Sequence, residues 1–371
     1  MSNKTTSPDT GDLALKPVPP CYRPEDHHLA EGRLWQGIPS IERAPSGRLW
    51  ATWYSGGESE GPDNFALLVT SGDNGHTWST PKIVIDPPDV VRAYDPCLWL
   101  DPTGRLWWTW AQSYSWFDGR CGVWAMTTDQ PDDPDASWTE PRRLCNGIMM
   151  NKPTVLSSGE WLFPAAIWTS RDIKLPEMAS EMYSNVYVTT DEGKTFEHRG
   201  GADVPDSLFD EHMVVQRRDG SLWMLVRTHT GLAESTSTDG GRTWSASRTS
   251  PIKNPSSRFF IRRLASGRLL LVNHHNFEGR SHLSALLSDD DGHTWPHALL
   301  LDERSPVSYP DGTQAEDGRI TIIYDRDRTG AAEILLAEFR EEDIEAGRPV
   351  SNDCKLKHVI SALNRPPKET D

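Results

Sequence analysis

The sequence predicts an all-β protein built as a six-bladed β-propeller, and three observations support this prediction. A short box of the form SxDxGxTW recurs along the chain, and a glycine turn followed by an apolar strand recurs more often still. Helical periodicity is confined to the stretch FREEDIEAG near the C-terminus. The repeats carry most weight, because a period of about 45 to 60 residues favours one ring over two or three separate domains.

The Asp-boxes read SGDNGHTWS, TTDEGKTFE, STDGGRTWS and SDDDGHTWP, and they begin at Ser71, Thr189, Ser237 and Ser288. The gap between the first two is about twice the others, and we interpret TTDQPDDPDASW at 127–138 within it as a degenerate box. The Asp and hydroxyl side chains suit hydrogen bonds to a tight loop, the Gly suits a positive φ, and the Trp suits packing between blades. The boxes are therefore predicted to be structural and not catalytic.

A glycine turn followed by a short apolar strand occurs six times, at Gly47, Gly104, Gly159, Gly220, Gly267 and Gly318. Each glycine ends one extended stretch and starts the next, which is typical of a β-hairpin. A third strand then leads into the box and a fourth follows it. We expect residues 1–30 to form an N-terminal extension and residues 31–371 to form one propeller. Either the tail CKLKHVISAL or the segment 32–35 completes a blade.

Composition excludes several classes of partner. The net charge of -16, without a Lys/Arg run, argues against nucleic acid and anionic membranes as partners. No stretch is apolar enough for a signal peptide or a membrane span, so we expect a cytoplasmic protein, unless a leader was removed. Five scattered cysteines without a CxxC pair predict reduced thiols, and neither a metal nor a cofactor is expected. The sequence gives no indication of the oligomeric state.

A polar pocket is predicted at the centre of the ring, where the first strand of each blade begins. Charged side chains of both signs around one axis are costly unless they face water or a ligand, so the pocket is predicted to be functional. Counting back nine residues from the turn glycines gives Ile38, Asp95, Met150 or Lys152, Glu211, Arg258 and Tyr309. Counting forward seven gives Tyr54, Ala111, Ala166, Arg227, His274 and Asp325.

Three segments together with the boxes resemble the sialidase superfamily of Asp-box propellers. EHMVVQRRDGSLWMLVR places a Glu and an Arg sixteen apart, GRSHLSALLSDDDGHTW places an Arg just ahead of a box, and YPDGTQAEDGRITIIYD carries a Tyr. The resemblance extends from about Trp35 to Ala337. It implies a propeller fold and a glycosidase that acts on an acidic sugar.

The resemblance also implies roles for individual residues. Tyr309 would be the nucleophile, Glu211 its base, and Arg227 and Arg280 two of three arginines that bind a substrate carboxylate. A neutral phenol suits this role because a substrate carboxylate next to the reacting carbon repels an anionic nucleophile.

Asp63, in GPDNFALLVTSGD, lies where the family has its acid/base aspartate, and Glu58 or Glu60 in the same loop is the alternative. The family's first arginine precedes an Ile-Pro pair, but Gly37 stands at that place here. Arg258 is the expected compensation. With this change, sialic acid and other ulosonic or uronic acids remain open as the sugar.

Three functions follow as hypotheses. The first is a retaining exo-glycoside hydrolase that releases a terminal acidic sugar. The second is a polysaccharide lyase, in which the arginines and Lys152 neutralise a uronate. Its base would be Tyr309 or one of four histidines expected at the same pole, namely His212, His229, His274 and His275. The third is a non-catalytic glycan-binding propeller. Asp95, Lys152, Arg258 and His274 complete the predicted binding residues, and the expected partner is an acidic glycan.

Overall fold

A computed structural model describes residues 12–115, 121–168 and 176–363. The two ends of the predicted domains, residues 1–11 and 364–371, lie outside the described part. The described residues form six four-stranded antiparallel sheets, and each sheet uses four strands that are consecutive in the chain. The prediction of an all-β, six-bladed propeller is confirmed.

The first three blades hold twelve strands. Blade one has β1 Gln36–Arg43, β2 Leu49–Ser55, β3 Phe65–Ser71 and β4 Ile83–Ile85. Blade two has β5 Val91–Leu100, β6 Leu106–Tyr114, β7 Gly122–Thr128 and β8 Arg142–Asn146. Blade three has β9 Thr154–Val155, β10 Trp161–Ala166, β11 Ser184–Thr189 and β12 Glu197–Ala202.

The last three blades repeat the pattern. Blade four has β13 Met213–Gln216, β14 Leu222–Thr228, β15 Gly231–Ser237 and β16 Arg248–Thr249. Blade five has β17 Phe260–Arg263, β18 Leu269–His274, β19 Leu283–Ser288 and β20 His297–Asp302. Blade six has β21 Val307–Gln314, β22 Ile320–Arg326, β23 Glu333–Phe339, helix α1 Glu341–Ala346 and β24 Lys355–Ala362. Short 3-10 helices lie at Asp12–Leu15, Asp26–His28, Ala30–Gly32 and Pro176–Glu181.

The repeated glycines make the turn between the first two strands of every blade. All six have φ between 84° and 93°, a region that residues with a Cβ rarely adopt. In blade one, Gly47 N donates to Ala44 O at 2.9 Å, and Ala44 N donates to Arg48 O at 2.8 Å. This tight turn fixes the register that brings the start of β1 to the axis.

The Asp-boxes lie between the third and fourth strands, as predicted. In the first box Thr77 Oγ1 donates to Asp73 Oδ2 at 2.6 Å, and Gly75 N donates to Ser71 Oγ at 2.9 Å. The other three complete boxes contain the same bonds. These bonds hold the loop in shape, which supports a structural role for the boxes.

The ring closes through the C-terminal tail, which pairs with β23 as the fourth strand of blade six. Ser361 Oγ in this strand donates to Gln36 Oε1 in β1 at 3.0 Å. On the outer edge of blade one, Cys21 pairs with Val84 through two backbone hydrogen bonds. None of the described helices has the length and apolar character required to cross a membrane.

Candidate active site

Four residues in or just before the inner strands share a left-handed backbone near the axis. Ile38, Asp95, Glu211 and Tyr309 have φ values of 58°, 48°, 44° and 57°. At Ile38, Asp95 and Tyr309 a proline follows, and the pairing with the next strand shifts register. A bulge of this kind re-aims a side chain away from the sheet. All four side chains line one cavity.

Two adjoining cavities lie at this pole of the ring, and Glu60 lines both. The axial cavity has a volume of about 110 Å³ and is lined by side chains of five blades: Ile38, Tyr54, Glu60, Arg92, Tyr94, Asp95, Met150, Trp168, Phe209, Glu211 and Tyr309. The side cavity, of about 360 Å³, is lined by Trp35, Ser59, Glu60, Arg280, Pro306, Ser308, Asp325, Asp327, Arg328 and Thr329. Together they form a polar recess with charges of both signs.

Tyr309 and Glu211, which line the axial cavity, form a hydrogen-bonded cluster with Arg227, which itself lines neither cavity. Tyr309 Oη donates to Glu211 Oε1 at 2.9 Å. Arg227 Nη1 donates to the same carboxylate oxygen at 2.6 Å and to Tyr309 Oη at 3.0 Å. Burial, reinforced by Glu211, raises the pKa of Tyr309 to about 12 despite the nearby arginines. The phenol is therefore neutral at pH 7, and its proton already points at a carboxylate that can accept it.

Glu211 and Asp95 each have an oxygen without a hydrogen-bond partner among the described residues. Glu211 Oε2 and Asp95 Oδ2 are both buried and both side chains line the axial cavity. Burial, and then the charge of Glu60, raises the pKa of Asp95 to about 8. A protonated Asp95 can donate a hydrogen bond at neutral pH. The cavity thus presents one donor and one acceptor that a polar ligand would satisfy.

Two further arginines flank the ring of Tyr309. The guanidinium carbon of Arg280 lies 5.6 Å from the ring centroid, and that of Arg328 lies 4.8 Å from it. Arg280 Nη2 donates to Ser256 O at 3.1 Å. Burial opposes the charge of Arg328, but Asp325 and Glu60 outweigh it and raise the pKa of this arginine. Three guanidinium groups therefore converge on one tyrosine.

The loop after β2 brings Glu60, and not Asp63, to the cavities. Glu60 Oε1 accepts a hydrogen bond from Arg328 Nη1 at 2.6 Å. The side chain of Asp63 is exposed and lines neither cavity. The next residue, Asn64, is buried and its amide donates to Gly56 O and Ser59 O at 3.1 Å each. These bonds fold the loop so that Glu60 faces inward and Asp63 faces outward.

Arg258 and Lys152, predicted to bind substrate, do not line the two cavities. Arg258 is fully buried beneath the cavity floor, where it donates to Pro39 O at 3.2 Å and to Met150 O at 2.8 Å. Lys152 lies deeper on the axis, where its Nζ is 3.2 Å from both Glu42 Oε2 and Asp311 Oδ2. It borders a separate cavity of about 270 Å³ between β9, β13 and β17. Both cations are used to satisfy buried acceptors of the protein itself.

His274 is also placed away from the axial cavity. Its ring is buried, and Nε2 lies 2.9 Å from Val307 O, so the neutral imidazole donates there. Burial lowers the pKa of His274 to about 4. His212 is similar, with Nε2 2.7 Å from Asn185 O. These histidines hold backbone carbonyls on neighbouring strands.

Sequence reasoning missed Arg92 and Arg328, and offered Glu60 only as an alternative. Arg92 Nη2 donates to Asn64 Oδ1 at 2.9 Å, and its guanidinium stacks 3.9 Å from the centroid of the Tyr94 ring. Arg328 lies in the loop after β22. Neither residue belongs to a repeated motif, so the period gave no signal for them. Gly37 was the one sequence signal for Arg328, because a residue without a side chain beside a pocket leaves room for a large side chain from elsewhere.

One group of potential metal ligands occurs among the described residues, at the outer edge of blade one. His27 Nε2 and His28 Nε2 lie 3.2 and 3.0 Å from Asp86 Oδ2. His28 Nδ1 accepts a hydrogen bond from Glu25 N at 3.0 Å. The proton of His28 must then be on Nε2, facing Asp86, so the arrangement fits hydrogen bonding better than metal ligation.

Comparison with known proteins agrees with this architecture. The family described as "BNR repeat-like domain" matches residues 47–322. Among solved structures, the Hadza microbial sialidase Hz136 is 20% identical with a TM-score of 0.67, and the match covers 86% of this chain and 67% of that chain. The intramolecular trans-sialidase from Ruminococcus gnavus is 15% identical with a TM-score of 0.65, covering 86% and 97%.

The NanB sialidase from Streptococcus pneumoniae is 14% identical with a TM-score of 0.62, and the match covers 89% of this chain and 71% of that chain. Curated proteins give no match. At these identities the solved structures establish a shared fold and nothing further.

Proposed function

Since this chain belongs to the family of BNR repeat-like domains, we propose that its axial cavity is the active site of a sialidase-like exo-glycosidase acting on a terminal acidic sugar. The observation that carries the proposal is the cluster of Tyr309, Glu211 and Arg227. A neutral phenol, hydrogen-bonded to a carboxylate and flanked by cations, is suited to attack a sugar that bears its own carboxylate. The sialidase names of the structural neighbours support sialic acid as the first sugar to test.

In the first step, Glu211 takes the proton of Tyr309 as the phenol oxygen bonds to the anomeric carbon. The glycosidic bond breaks, and its electron pair leaves with the oxygen of the departing alcohol, which an acid must protonate. Arg227 donates to both Tyr309 Oη and Glu211 Oε1, so it stays bonded to the pair while the proton moves between them. Fixed dipoles of the protein stabilise the charges that develop on the sugar and its leaving group, and they need not reorient as mobile water would.

In the second step, water attacks the anomeric carbon from the face opposite Tyr309. The group that acted as acid now takes a proton from this water, and the tyrosine oxygen leaves with the proton held on Glu211. Two displacements at one carbon retain its configuration.

Glu60 is the acid in this proposal, and Asp63 is its competitor. Glu60 lines both cavities, whereas the Asp63 side chain is exposed. Because Glu60 accepts a bond from Arg328, this pair must open before Glu60 can protonate a leaving oxygen.

Leaving-group dependence separates the two carboxylates. Glu60→Gln is expected to slow unactivated glycosides by about 10² to 10⁴-fold, and a 4-nitrophenyl glycoside far less, since a good leaving group needs no proton. Asp63→Asn is the matched control. The reverse pattern, with Asp63→Asn selective for unactivated glycosides, would assign the acid to Asp63.

The function itself is tested by incubating the protein with acidic glycans and aryl glycosides of sialic, other ulosonic and uronic acids. Released sugar is followed with every substrate, and near-ultraviolet absorbance is followed with the glycans, which carry no aryl group; Tyr309→Phe is the control. We expect free sugar without new absorbance, and no release by the variant, because Phe lacks the attacking oxygen. Circular dichroism of the variant checks that it folds.

The other two functions give different results in the same assay. A lyase creates an unsaturated sugar, so absorbance would rise; a binding propeller would release nothing. A lyase with a histidine base is less well supported, because His212 and His274 both donate from Nε2 to backbone carbonyls outside the cavity. No described histidine lines the axial cavity.

A further inference from the structure

Gly37 and Arg328 lie against each other beside the Tyr309 ring. A Cβ placed on Gly37 would overlap the Cδ and Cγ atoms of the Arg328 side chain, and would lie 3.1 Å from Asp325 Oδ2. Gly37 does not have a positive φ, so its backbone conformation does not require glycine. Glycine is needed here because the aliphatic stem of Arg328 fills the space that a side chain at position 37 would take.

Arg328 is held in place from three sides. Its Nη1 donates to Glu60 Oε1 at 2.6 Å, and its Nε lies 3.7 Å from Asp325 Oδ2. Asp325 is itself fixed, because its two oxygens accept bonds from Ile38 N at 2.8 Å and Ser308 Oγ at 2.9 Å. The guanidinium carbon lies 5.9 Å from the centroid of the Trp35 ring. The side chain is only 19% exposed, so the guanidinium is preorganised at the wall of the side cavity.

We propose that Arg328 is the third carboxylate-binding arginine of this active site, supplied by the loop after β22 in place of a side chain at position 37. It acts with Arg227 and Arg280, which lie around the same tyrosine. The bond from Arg328 to the carboxylate of Glu60 indicates that a carboxylate fits there. A substrate carboxylate takes the position that Glu60 occupies, and Glu60 is displaced toward the axial cavity that it also lines.

This inference rests on the proposed function, because it concerns the same recess. It predicts a preference for acidic over neutral sugars that depends on Arg328. A guanidinium matches a carboxylate with two parallel hydrogen bonds, which a lysine cannot reproduce. The residue therefore determines specificity by binding substrate, independently of whether bond cleavage follows.

The first test measures binding by isothermal titration calorimetry. The probes are N-acetylneuraminic acid and D-glucuronic acid, each paired with its uncharged methyl ester. We expect the wild-type chain to prefer at least one acid over its ester, and Arg328→Ala to weaken binding of that acid by about 10- to 100-fold without changing ester binding. Arg326→Ala is the matched control, because Arg326 pairs with Glu333 at 2.7 Å outside both cavities. Equal affinity of Arg328→Ala and wild type for the acids, or no preference of the wild type for acid over ester, would overturn the inference.

The second test uses the overlap between positions 37 and 328. Gly37→Ala alone should lower both Tm and acid affinity, because it forces Arg328 to move. In the Arg328→Ala background the same change should lower Tm much less, because only the contact with Asp325 Oδ2 at 3.1 Å is left, and Gly37→Arg should restore acid binding. A Gly37→Ala effect of equal size in both backgrounds would show that the two positions are not coupled, and would refute the inference.

Glu60→Gln distinguishes a displaced occupant from a structural partner. As a displaced occupant, Glu60 competes with the substrate carboxylate, so Glu60→Gln should bind the acids as tightly as wild type or more tightly. Weakened acid binding would indicate that Arg328 depends on Glu60, contrary to the proposal. A chain that binds acids through Arg328 but releases no sugar would refute the proposed function alone. Hydrolysis of acidic glycosides with an unchanged KM in Arg328→Ala would refute this inference alone.

Discussion

Asp95 shows how one residue of the recess reduces the stability of the fold. Its carboxyl is buried, one oxygen has no hydrogen-bond partner among the described residues, and burial raises its pKa to about 8. In the unfolded chain the same carboxyl ionises near its ordinary pKa of about 3.9. Between these values the folded state holds a proton that the unfolded state has lost. Rising pH therefore favours unfolding across this range.

Asp95→Asn should remove that pH dependence. The free energy of unfolding of the wild type should fall between pH 4 and about pH 8 by roughly 1.4 kcal/mol per pH unit more than that of the variant. Urea unfolding at several pH values in this range measures the difference. Asp63→Asn, at an exposed carboxylate, is the control and should follow the wild type. Parallel curves for Asp95→Asn and wild type would show that Asp95 is ionised in the folded chain.

At the scale of elements, the boxes pack each blade against the blade before it. A Cβ added at Gly193 of blade three would meet Trp107 of blade two, one at Gly241 of blade four would meet Val186 of blade three, and one at Gly292 of blade five would meet Trp223 of blade four. In blade two, the degenerate box places Trp138 edge-on to Trp50 of blade one, with ring centroids 5.9 Å apart. A loop that is fixed by its own hydrogen bonds therefore also sets the spacing of the sheets.

Gly193→Ala tests this packing between blades, and Gly104→Ala is its control. Both glycines have positive φ, at 79° and 87°. A Cβ at Gly193 would lie 2.5 Å from Trp107, whereas a Cβ at Gly104 would have nothing within 4 Å. Both changes should lower the free energy of unfolding by about 1 kcal/mol through backbone strain. Gly193→Ala should lower it by about 1 to 3 kcal/mol more, because its methyl group overpacks against Trp107. Chemical denaturation measures both, and equal losses would exclude the packing contribution.

At the scale of the whole molecule, the axis below the cavity is filled by paired charges and not by apolar side chains. Lys152 Nζ contacts Glu42 and Asp311 and donates to Ile41 O at 2.7 Å. Burial works against the charge of Lys152, but Asp311 and Glu42 outweigh it and raise the pKa of this lysine. Arg258 lies above, between this layer and the cavity floor. Ion pairs thus join residues of blades one, three, five and six at the centre of the ring.

Lys152→Met should destabilise the ring by about 3 to 5 kcal/mol, because it leaves the buried Glu42 without its cation and Asp311 with only Arg258, at 3.6 Å. Lys82→Met is the control: Lys82 pairs with Asp135 at 2.7 Å, but that carboxylate is 79% exposed. Loss of this surface pair should lower the free energy of unfolding by no more than about 1 kcal/mol. Urea unfolding at pH 7 compares the two variants. A loss of similar size in both would mean that water reaches the axis.

The sequence predicts the parts of this molecule that repeat. Five of the six positions counted back from the turn glycines line the axial cavity, because the hairpin fixes their distance from the axis. Arg258 is the exception, since its long side chain reaches the carbonyls of Pro39 and Met150 below the floor. Arg328 and Glu60 meet through loops 268 residues apart. Such a contact forms only in the closed ring, so a local sequence pattern cannot predict it.

Each blade is one uninterrupted stretch of chain, so the last blade meets the first without sharing a strand with it. The fold therefore does not depend on which of the six blades comes first along the chain. Residues 36 and 361 are already hydrogen-bonded neighbours, so a short linker would suffice to join them. A circular permutant opened between blades would keep every sheet intact and would bring the same residues from five blades to the axial cavity.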